Sequence, residues 1–438
     1  MPTAIADFKK AAVIGAGRSG RAAAKLLHAL GKNCILLEKN PENIPEEFLR
    51  WLAECGIPLL PGEHKPEYFR GVDLIIPSPA AAKRSIDALL QGGNADDHVE
   101  IMAESELAWR LLEGEPVIGI TGTSGKTTTT SICSAMLAQH GLHVFTGGNI
   151  GVPLSEYVLS RIDGAPKADA AVLELSSFQL QTCSTLHPHV GVLLNISENH
   201  LDFHADMQEY TDAKMRLFAC QDENDLAILH PSLTHLAARY GMKADVAVID
   251  VDARPFPRTR LIGQHNQINA SAAFLAASRF GVTRQEAALA MEAFVPIPHR
   301  LEYAGAIGGV TYVNDSKCTT AEALKVALAS FQKPVILLAG GKFKGGDLEG
   351  MRSLVKEHVK AVALYGASRS HFESAWRGIV PLTWDETMDQ AFERARSIAR
   401  DGDTVLLAPA TSSFDQFNNY RERGSHFKSL VLAAGEKR

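Results

Sequence analysis

Residues 116–131 read PVIGITGTSGKTTTTS: an apolar run from Val117 to Ile120, glycine breaks at Gly122 and Gly125, then Lys126 and Thr127. Residues 127–141 continue with helical spacing and a stop at Gly141. Strand, glycine loop, Lys-Thr and helix in that order make a phosphate-binding loop. Glycines let backbone N–H groups close around phosphate oxygens, and the helix N-terminus adds about half a positive charge. Lys126 can reach the outer phosphates, and the Thr127 hydroxyl can sit on Mg²⁺. The general pattern G-x-x-x-x-G-K-[ST] wants a glycine where Ile120 stands, so the motif is the shorter G-x-x-G-K-T, Gly122 to Thr127. The bland alternative, a glycine turn with a solvated lysine, leaves the flanking strand and helix without a purpose. Binding of a nucleoside triphosphate is expected.

Around this loop the chain has room for more. Its 438 residues exceed one core and suit two or three domains. With 46% hydrophobic and 21% charged residues and no membrane-length apolar run, an ordinary soluble protein without a membrane partner is expected. The start, MPTAIADFKK, lacks the apolar core of a signal peptide. Six cysteines are scattered without a C-x-x-C pair, which suits a reducing cytoplasm and argues against a disulfide framework or structural zinc. A net charge of −6 offers no footprint for nucleic acid, so anionic substrates require local clusters of Lys and Arg.

The first segment opens with a strand into G-A-G-R-S-G (Gly15, Gly17, Gly20), a helix stopping at Gly31, and a strand ending at Glu38. That is a dinucleotide-type fingerprint: a pyrophosphate can rest on this helix N-terminus, with Glu38 where a ribose partner belongs. Glycines serving only tight packing are the alternative. A further strand is read at 72–79. From about Glu104 a second segment alternates strands and helices, which predicts a mostly parallel sheet covered on both faces. Polar clusters follow its strand ends at GGNIG (147–151), ELSSFQ (174–179) and NISENHLD (195–202). Asn266 and Asn269 fall in the first turn of a helix over 265–281, as nucleotide contacts or as caps. The Pro-rich 296–300 reads as a hinge, and beyond it a third α/β segment carries Asp315-Ser316-Lys317, GGKFK (340–344) and SSFDQF (412–417).

Taken together these stretches resemble the Mur ligases along the whole chain, through GTSGKTTT, GGNIG, ELSSFQL, LNISENHLDFH, YTDAKMRLF, GQHNQINA, PHRLE, NDSK, LAGGKFKGGD and APATSSFDQFNNYRERG. ELSSFQL, SSFDQF and the N-terminal G-x-G-x-x-G point to the D-glutamate-adding branch. The resemblance implies three domains: a Rossmann-like UDP-binding domain (1–103), a central P-loop ATP-binding domain (104–298) and a Rossmann-like D-glutamate-binding domain (299–438). It implies phosphorylation of the carboxylate of UDP-N-acetylmuramoyl-L-alanine by ATP, then attack by the amine of D-glutamate, in peptidoglycan precursor synthesis.

Carried over position by position, ATP falls to Gly122, Thr123, Ser124, Gly125, Lys126, Thr127, Thr128, Asn266, Asn269, Arg300 and Asp315. Mg²⁺, at two sites, falls to Thr127, Glu174, His200 and Lys214, with Lys126, His200 and Lys214 as the catalytic set. In the family the lysine matching Lys214 is carbamylated by CO₂, which would make it an anionic metal ligand. The UDP-linked substrate falls to Asn149, Ser176 and Gln179, and to Arg18, Ser19, Glu38 and Lys39, where the first loop departs from the family pattern. D-glutamate falls to Lys317, Thr319, Lys344, Ser413 and Tyr420. A monomer is expected. A nicotinamide oxidoreductase would leave Lys126 and Glu174 unexplained, a motor or switch would hydrolyse ATP without an acceptor amino acid, and a folylpolyglutamate synthase would not need the first domain.

Overall fold

The computed structural model of the chain describes residues 8–78, 81, 83–91, 99–198, 203–331 and 333–436. Three sheets organise it. The first holds β1 (Lys10–Ile14), β2 (Asn33–Glu38), β3 (Leu59–Pro61), β4 (Leu74–Pro77) and β5 (Glu100–Ile101), all parallel in the order β3-β2-β1-β4-β5. The chain winds outward from β1 to β3 and restarts on the other side with β4. The switch point therefore lies beside the carboxyl end of β1, where G-A-G-R-S-G begins.

The central sheet holds β6 (Val117–Thr121), β7 (Val144–Gly148), β8 (Ala170–Glu174), β9 (Val190–Leu193), β10 (Leu226–Leu229) and β11 (Asp245–Val248), all parallel in the order β11-β10-β9-β6-β8-β7. All five residues of β6 are buried, the continuous apolar character that a parallel strand covered on both faces requires. Its loop thus emerges mid-sheet, between the ends of β8 and β9. The third sheet holds β12 (Glu302–Ile307), β13 (Val310–Asn314), β14 (Val335–Gly340), β15 (Val359–Tyr365), β16 (Leu382–Asp385) and β17 (Thr404–Leu407), ordered β12-β13-β17-β14-β15-β16. Only the β12–β13 pair is antiparallel.

The chain divides into two compact units, Met1–Phe256 with Ile268–Met291, and Pro257–Gln267 with Glu292–Arg438. Within the first, the helix Arg18–Ala29 packs on the helices Glu104–Trp109 and Leu154–Ile162. A single apolar core runs from Val13 and Leu26 through Leu107 to Leu154 and Leu173, so the first two sheets share it.

Glu104 is buried at that junction, its Oε1 accepting the Ser155 N–H at 2.6 Å. Burial pushes its carboxyl up from 4.5 to about 7, against the opposing pull of the Ser155 hydrogen bonds. The folded state therefore holds this proton more tightly than the unfolded chain. Its contribution is present in full below about pH 4.5 and is lost as pH rises towards about 7. Glu104→Gln, which cannot ionise, is expected to raise the melting temperature at pH 8 and leave it nearly unchanged at pH 4.5. The gain is bounded by roughly 3 kcal/mol at about 1.4 kcal/mol per pKa unit. Parallel melting curves for the two proteins from pH 4.5 to 8 would contradict this assignment.

Candidate active site

The phosphate loop is shaped by two glycines in conformations that L side chains rarely adopt, Gly122 (φ 154°) and Gly125 (φ 85°). A Cβ on Gly125 would also stand 2.5 Å from Asn269 Oδ1, so Asn269 packs directly on the loop. The helix Lys126–Gln139 begins at Gly125 without a side-chain cap, and its N-terminus is a position that favours an anion. The loop is latched to the end of β9: Asn195 accepts the Thr123 N–H (3.0 Å) on its carbonyl and the Ser124 N–H (2.8 Å) on Oδ1. Thr123 Oγ1 lies 3.1 Å from the Tyr210 hydroxyl and accepts the Ser197 N–H at 3.0 Å. Lys126 Nζ donates to the carbonyls of Gly122 and Thr123, both at 2.9 Å.

Lys214 comes to the same loop from the helix Met207–Met215. It is 1% exposed, donates from Nζ to the Gly122 carbonyl at 2.9 Å, and stands 4.5 Å from the centroid of the Tyr210 ring. Burial, and then the charge of Lys126, hold its pKa well below the ordinary lysine range. Glu174, at the end of β8, is 2% exposed; its Oε1 accepts the Asn149 side-chain N–H at 2.8 Å. Its Oε2 is buried and meets no hydrogen-bond partner among the described residues. A buried carboxylate oxygen without a donor suits a hard cation, so Glu174 fits Mg²⁺. Lys214 fits such a site only as a neutral or anionic group. His200 lies outside the described residues.

Ser176 and Gln179 engage each other as a reciprocal cap of the short helix Ser177–Leu180, while Gln179 Nε2 is buried without a partner among the described residues. Gln179 lines a cavity with Ser19, Ser78, Phe178 and Phe203, so the structure brings Ser19 and Gln179 together from the first and central sheets. Glu38 braces the first glycine loop, accepting the Ala16 N–H (2.6 Å) and the Asn40 N–H (2.9 Å). Arg18 is exposed, and Lys39 makes a solvent-exposed pair with Glu63. At Gly20 a Cβ would fall 1.9 Å from the Gly15 carbonyl oxygen, so close packing alone demands that glycine.

In the third sheet the ends of β13, β17 and β14, neighbours in the sheet, bring Asp315–Thr319, Ala408–Ser413 and Gly340–Lys344 to one edge. Arg423, fully buried, ties them: it donates to Ser316 Oγ (2.9 Å), the Ser316 carbonyl (2.8 Å) and the Thr411 carbonyl (3.1 Å). Lys317 Nζ lies 4.2 Å from the Tyr420 ring centroid and Lys344 Nζ 5.0 Å from that of Phe414. Ser413 is buried, and Thr319 half-buried. Asp315 is buried with Oδ1 accepting the Leu301 N–H at 3.2 Å; burial raises its pKa to about 7, against Leu301 and Arg300. The segment 296–300, expected as a hinge, forms a turn with His299 (φ 67°) and Leu301 (φ 42°) in the left-handed region. Such strain in non-glycine residues clusters at functional sites. Asn266 is buried in the helix Gln264–Ser278 and donates from Nδ2 to the Ile262 carbonyl at 2.7 Å.

Sequence reasoning places Asn195 in a polar cluster after a strand end but not as a latch of the phosphate loop, and it gives Arg423 and Tyr210 no role. For Asn195 the available signal is its place at a strand end beside the loop.

Fold and loop together define an α/β protein whose central sheet carries a glycine loop between a buried strand and a helix N-terminus. Residues 120–250 match the Mur ligase middle domain and residues 299–411 the Mur ligase, glutamate ligase domain. The UDP-N-acetylmuramoylalanine–D-glutamate ligase of Nitratidesulfovibrio vulgaris is 55% identical over 421 residues, 96% of this chain and 95% of that protein. The protein of the same name from Lawsonia intracellularis is 49% identical over 422 residues, 96% of this chain and 94% of that one. The MurF ligase of Thermotoga maritima, solved in complex with ADP, shares the fold at a TM-score of 0.57 and 20% identity, over 85% of this chain and 96% of that chain. The chain belongs to the Mur ligase family, in its UDP-N-acetylmuramoylalanine–D-glutamate ligase branch. Among the described residues no helix is long and apolar enough to cross a membrane.

Proposed function

We propose that this chain is an ATP-dependent amide ligase that adds D-glutamate to UDP-N-acetylmuramoyl-L-alanine in peptidoglycan precursor synthesis, acting as a cytoplasmic monomer. The observation that carries this reading is the 55% identity to a ligase of that name across 96% of the chain. A carboxylate oxygen of the UDP-linked substrate attacks the γ-phosphorus of ATP, forming an acyl phosphate and releasing ADP. The amine of D-glutamate adds to the acyl carbon, and the tetrahedral intermediate expels phosphate and loses a proton to leave the amide.

The work falls to domains 1–103, 104–298 and 299–438, which bind UDP, ATP and D-glutamate. Both first reactants are anionic, so alignment and charge neutralisation are the task. Lys126 supplies a cation to the outer phosphates. Mg²⁺, when bound, neutralises further charge on phosphoryl and carboxylate oxygens; Thr127, Glu174, His200 and Lys214 would hold it, at two sites. Lys214 joins as a carbamate: its neutral amine attacks CO₂, an N–C bond forms, and a proton leaves. The buried, cation-flanked position of Nζ supports this, since the reaction needs the unprotonated amine. Ser19, Asn149, Ser176 and Gln179 contact the UDP-linked substrate, with Arg18, Glu38 and Lys39 at its nucleotide end. Asn266, Asn269, Arg300 and Asp315 contact ATP.

D-glutamate is held by Lys317, Thr319, Lys344, Ser413 and Tyr420. Lys344→Ala is expected to raise KM for D-glutamate about tenfold or more, the scale of one lost charge-assisted contact, and to leave KM for ATP near its wild-type value. A change confined to ATP would move Lys344 to the nucleotide site. The reaction is tested by supplying ATP, Mg²⁺, UDP-N-acetylmuramoyl-L-alanine and single amino acids, and weighing the products. The D-glutamyl product alone is expected; a product with L-alanine or L-lysine, or none, would contradict the proposal.

A further inference from the structure

Tyr420 is placed among more positive charge than the fold requires. It opens the helix Tyr420–Glu436, and its carbonyl accepts the Ser316 hydroxyl at 2.8 Å, fixing it beside the end of β13. Lys317 Nζ lies 4.2 Å from its ring centroid and the Arg421 guanidinium carbon 5.7 Å from the same point. Burial would raise the phenol's pKa, yet a hydrogen bond with Arg421 and the charges of Lys317, Arg421 and Arg300 bring it below its ordinary value. Lys317 and Arg421 thus flank one ring, with the charge of Arg300 also acting on its phenol.

Arg300 acts on Asp315, but among the described residues nearby acids do not pair with Lys317 or Arg421. Asp315 is buried and holds its proton up to about pH 7, and Glu302 is engaged by Lys428 at 2.9 Å and by Asn314 at 2.9 Å. Glu422 turns back to the Asn418 backbone and side-chain N–H groups at 3.1 and 3.0 Å. No carboxylate among the described residues pairs with Lys317 or with Arg421. Arg421 is exposed in the first turn of its helix, where the macrodipole is positive and a cation is disfavoured. Asn419 Oδ1 already serves the Arg421 and Glu422 N–H groups at 3.0 Å each, so the helix start needs nothing from the arginine. The guanidinium is met by the Tyr420 phenol and by no carboxylate among the described residues, so its charge stays available to an anionic ligand.

We infer that Arg421 is a specificity-determining residue, its planar guanidinium meeting a carboxylate of the incoming amino acid while Lys317 and Lys344 take the remaining negative charge. The inference rests on the D-glutamate reading above and adds to it the group that selects a dicarboxylate. A guanidinium presents two parallel N–H donors that match a carboxylate and that an amide side chain cannot use in the same way.

The test compares wild type, Arg421→Gln and Arg421→Lys, with D-glutamate and D-glutamine as acceptors at saturating ATP and UDP-N-acetylmuramoyl-L-alanine. In Arg421→Gln, KM for D-glutamate should rise about tenfold, the scale of one charge-assisted contact, with KM for ATP unchanged. The preference for D-glutamate over D-glutamine should fall by the same factor, and Arg421→Lys should recover part of it. The melting temperature should hold or rise, because a cation leaves a helix N-terminus. An unchanged preference, or an equal loss towards both acceptors, would overturn the assignment. A wild-type enzyme that made no D-glutamyl product would overturn the reaction itself, and the inference with it.

Discussion

Lys126→Ala is expected to lower the rate of amide formation by about 10²–10³-fold or more, the usual cost of removing one preorganised charge contact from a reacting centre. The reason lies in what else stands near the loop. Residues Gly122 to Gly125 carry no cation, the Thr123 and Ser124 N–H groups are taken by Asn195, and the helix Lys126–Gln139 contributes only its partial charge. Lys214 is close, but burial and Lys126 itself disfavour its charged form. Lys126 Nζ rests on the carbonyls of Gly122 and Thr123, so the side chain folds over the space between them and a phosphate there would meet it directly. Lys126→Arg should recover little, since a larger planar group replaces a compact ammonium. Single-turnover kinetics, with folding checked by melting temperature, decide the matter; near-normal turnover in Lys126→Ala would contradict the phosphate-loop assignment.

Lys214→Ala is expected to be nearly inactive, with a loss of similar or larger size, about 10³-fold, and to regain part of its activity with acetate or formate. Three observations converge on this residue. Its amine is buried, it lies near a second lysine, and it meets the Gly122 carbonyl and the face of Tyr210. Such a lysine is poised to be neutral, and a neutral amine can take up CO₂. A carbamate here would supply anionic oxygens to Mg²⁺, as Glu174 would through Oε2, which has no donor among the described residues. Lys214→Arg cannot form it, because arginine remains protonated, and should fail as Lys214→Ala does. Carbon-13 NMR in labelled bicarbonate should show a carbamate resonance in wild type that is absent from both variants. A fully active Lys214→Arg enzyme, or no such resonance with the enzyme active, would refute the modification.

The parts of this site that are continuous along the chain are legible from the residues themselves. Gly122 to Thr127 carries its own strand, turn and helix, and the G-A-G-R-S-G loop likewise sits on β1. What brings Lys214 to Gly122, or Asn195 to Ser124, is tertiary packing across 92 and 71 residues, which no local spacing encodes. The family resemblance puts Lys214 at the metal site; only the fold gives it a buried amine. Arg423 illustrates the limit further: in the sequence it is one charge in YRERG, and in the fold it is a fully buried clamp on Ser316 and Thr411. Strands β1, β2, β4, β6 to β9, β13 to β15 and β17 follow from apolar runs. β10, β11 and β16 do not stand out in this way, and β3 and β5, of three and two residues, are too short to show a period. β12 hides its alternation behind Gly305 and a register shift after Tyr303.

The central claim is that ATP activates the carboxylate of UDP-N-acetylmuramoyl-L-alanine for attack by D-glutamate. Labelling that carboxylate with oxygen-18 and analysing the phosphate released during turnover tests it most directly. One labelled phosphate for each amide formed, with release dependent on D-glutamate, is the predicted result. Unlabelled phosphate, or ATP consumption that continues at the same rate without D-glutamate, would contradict it.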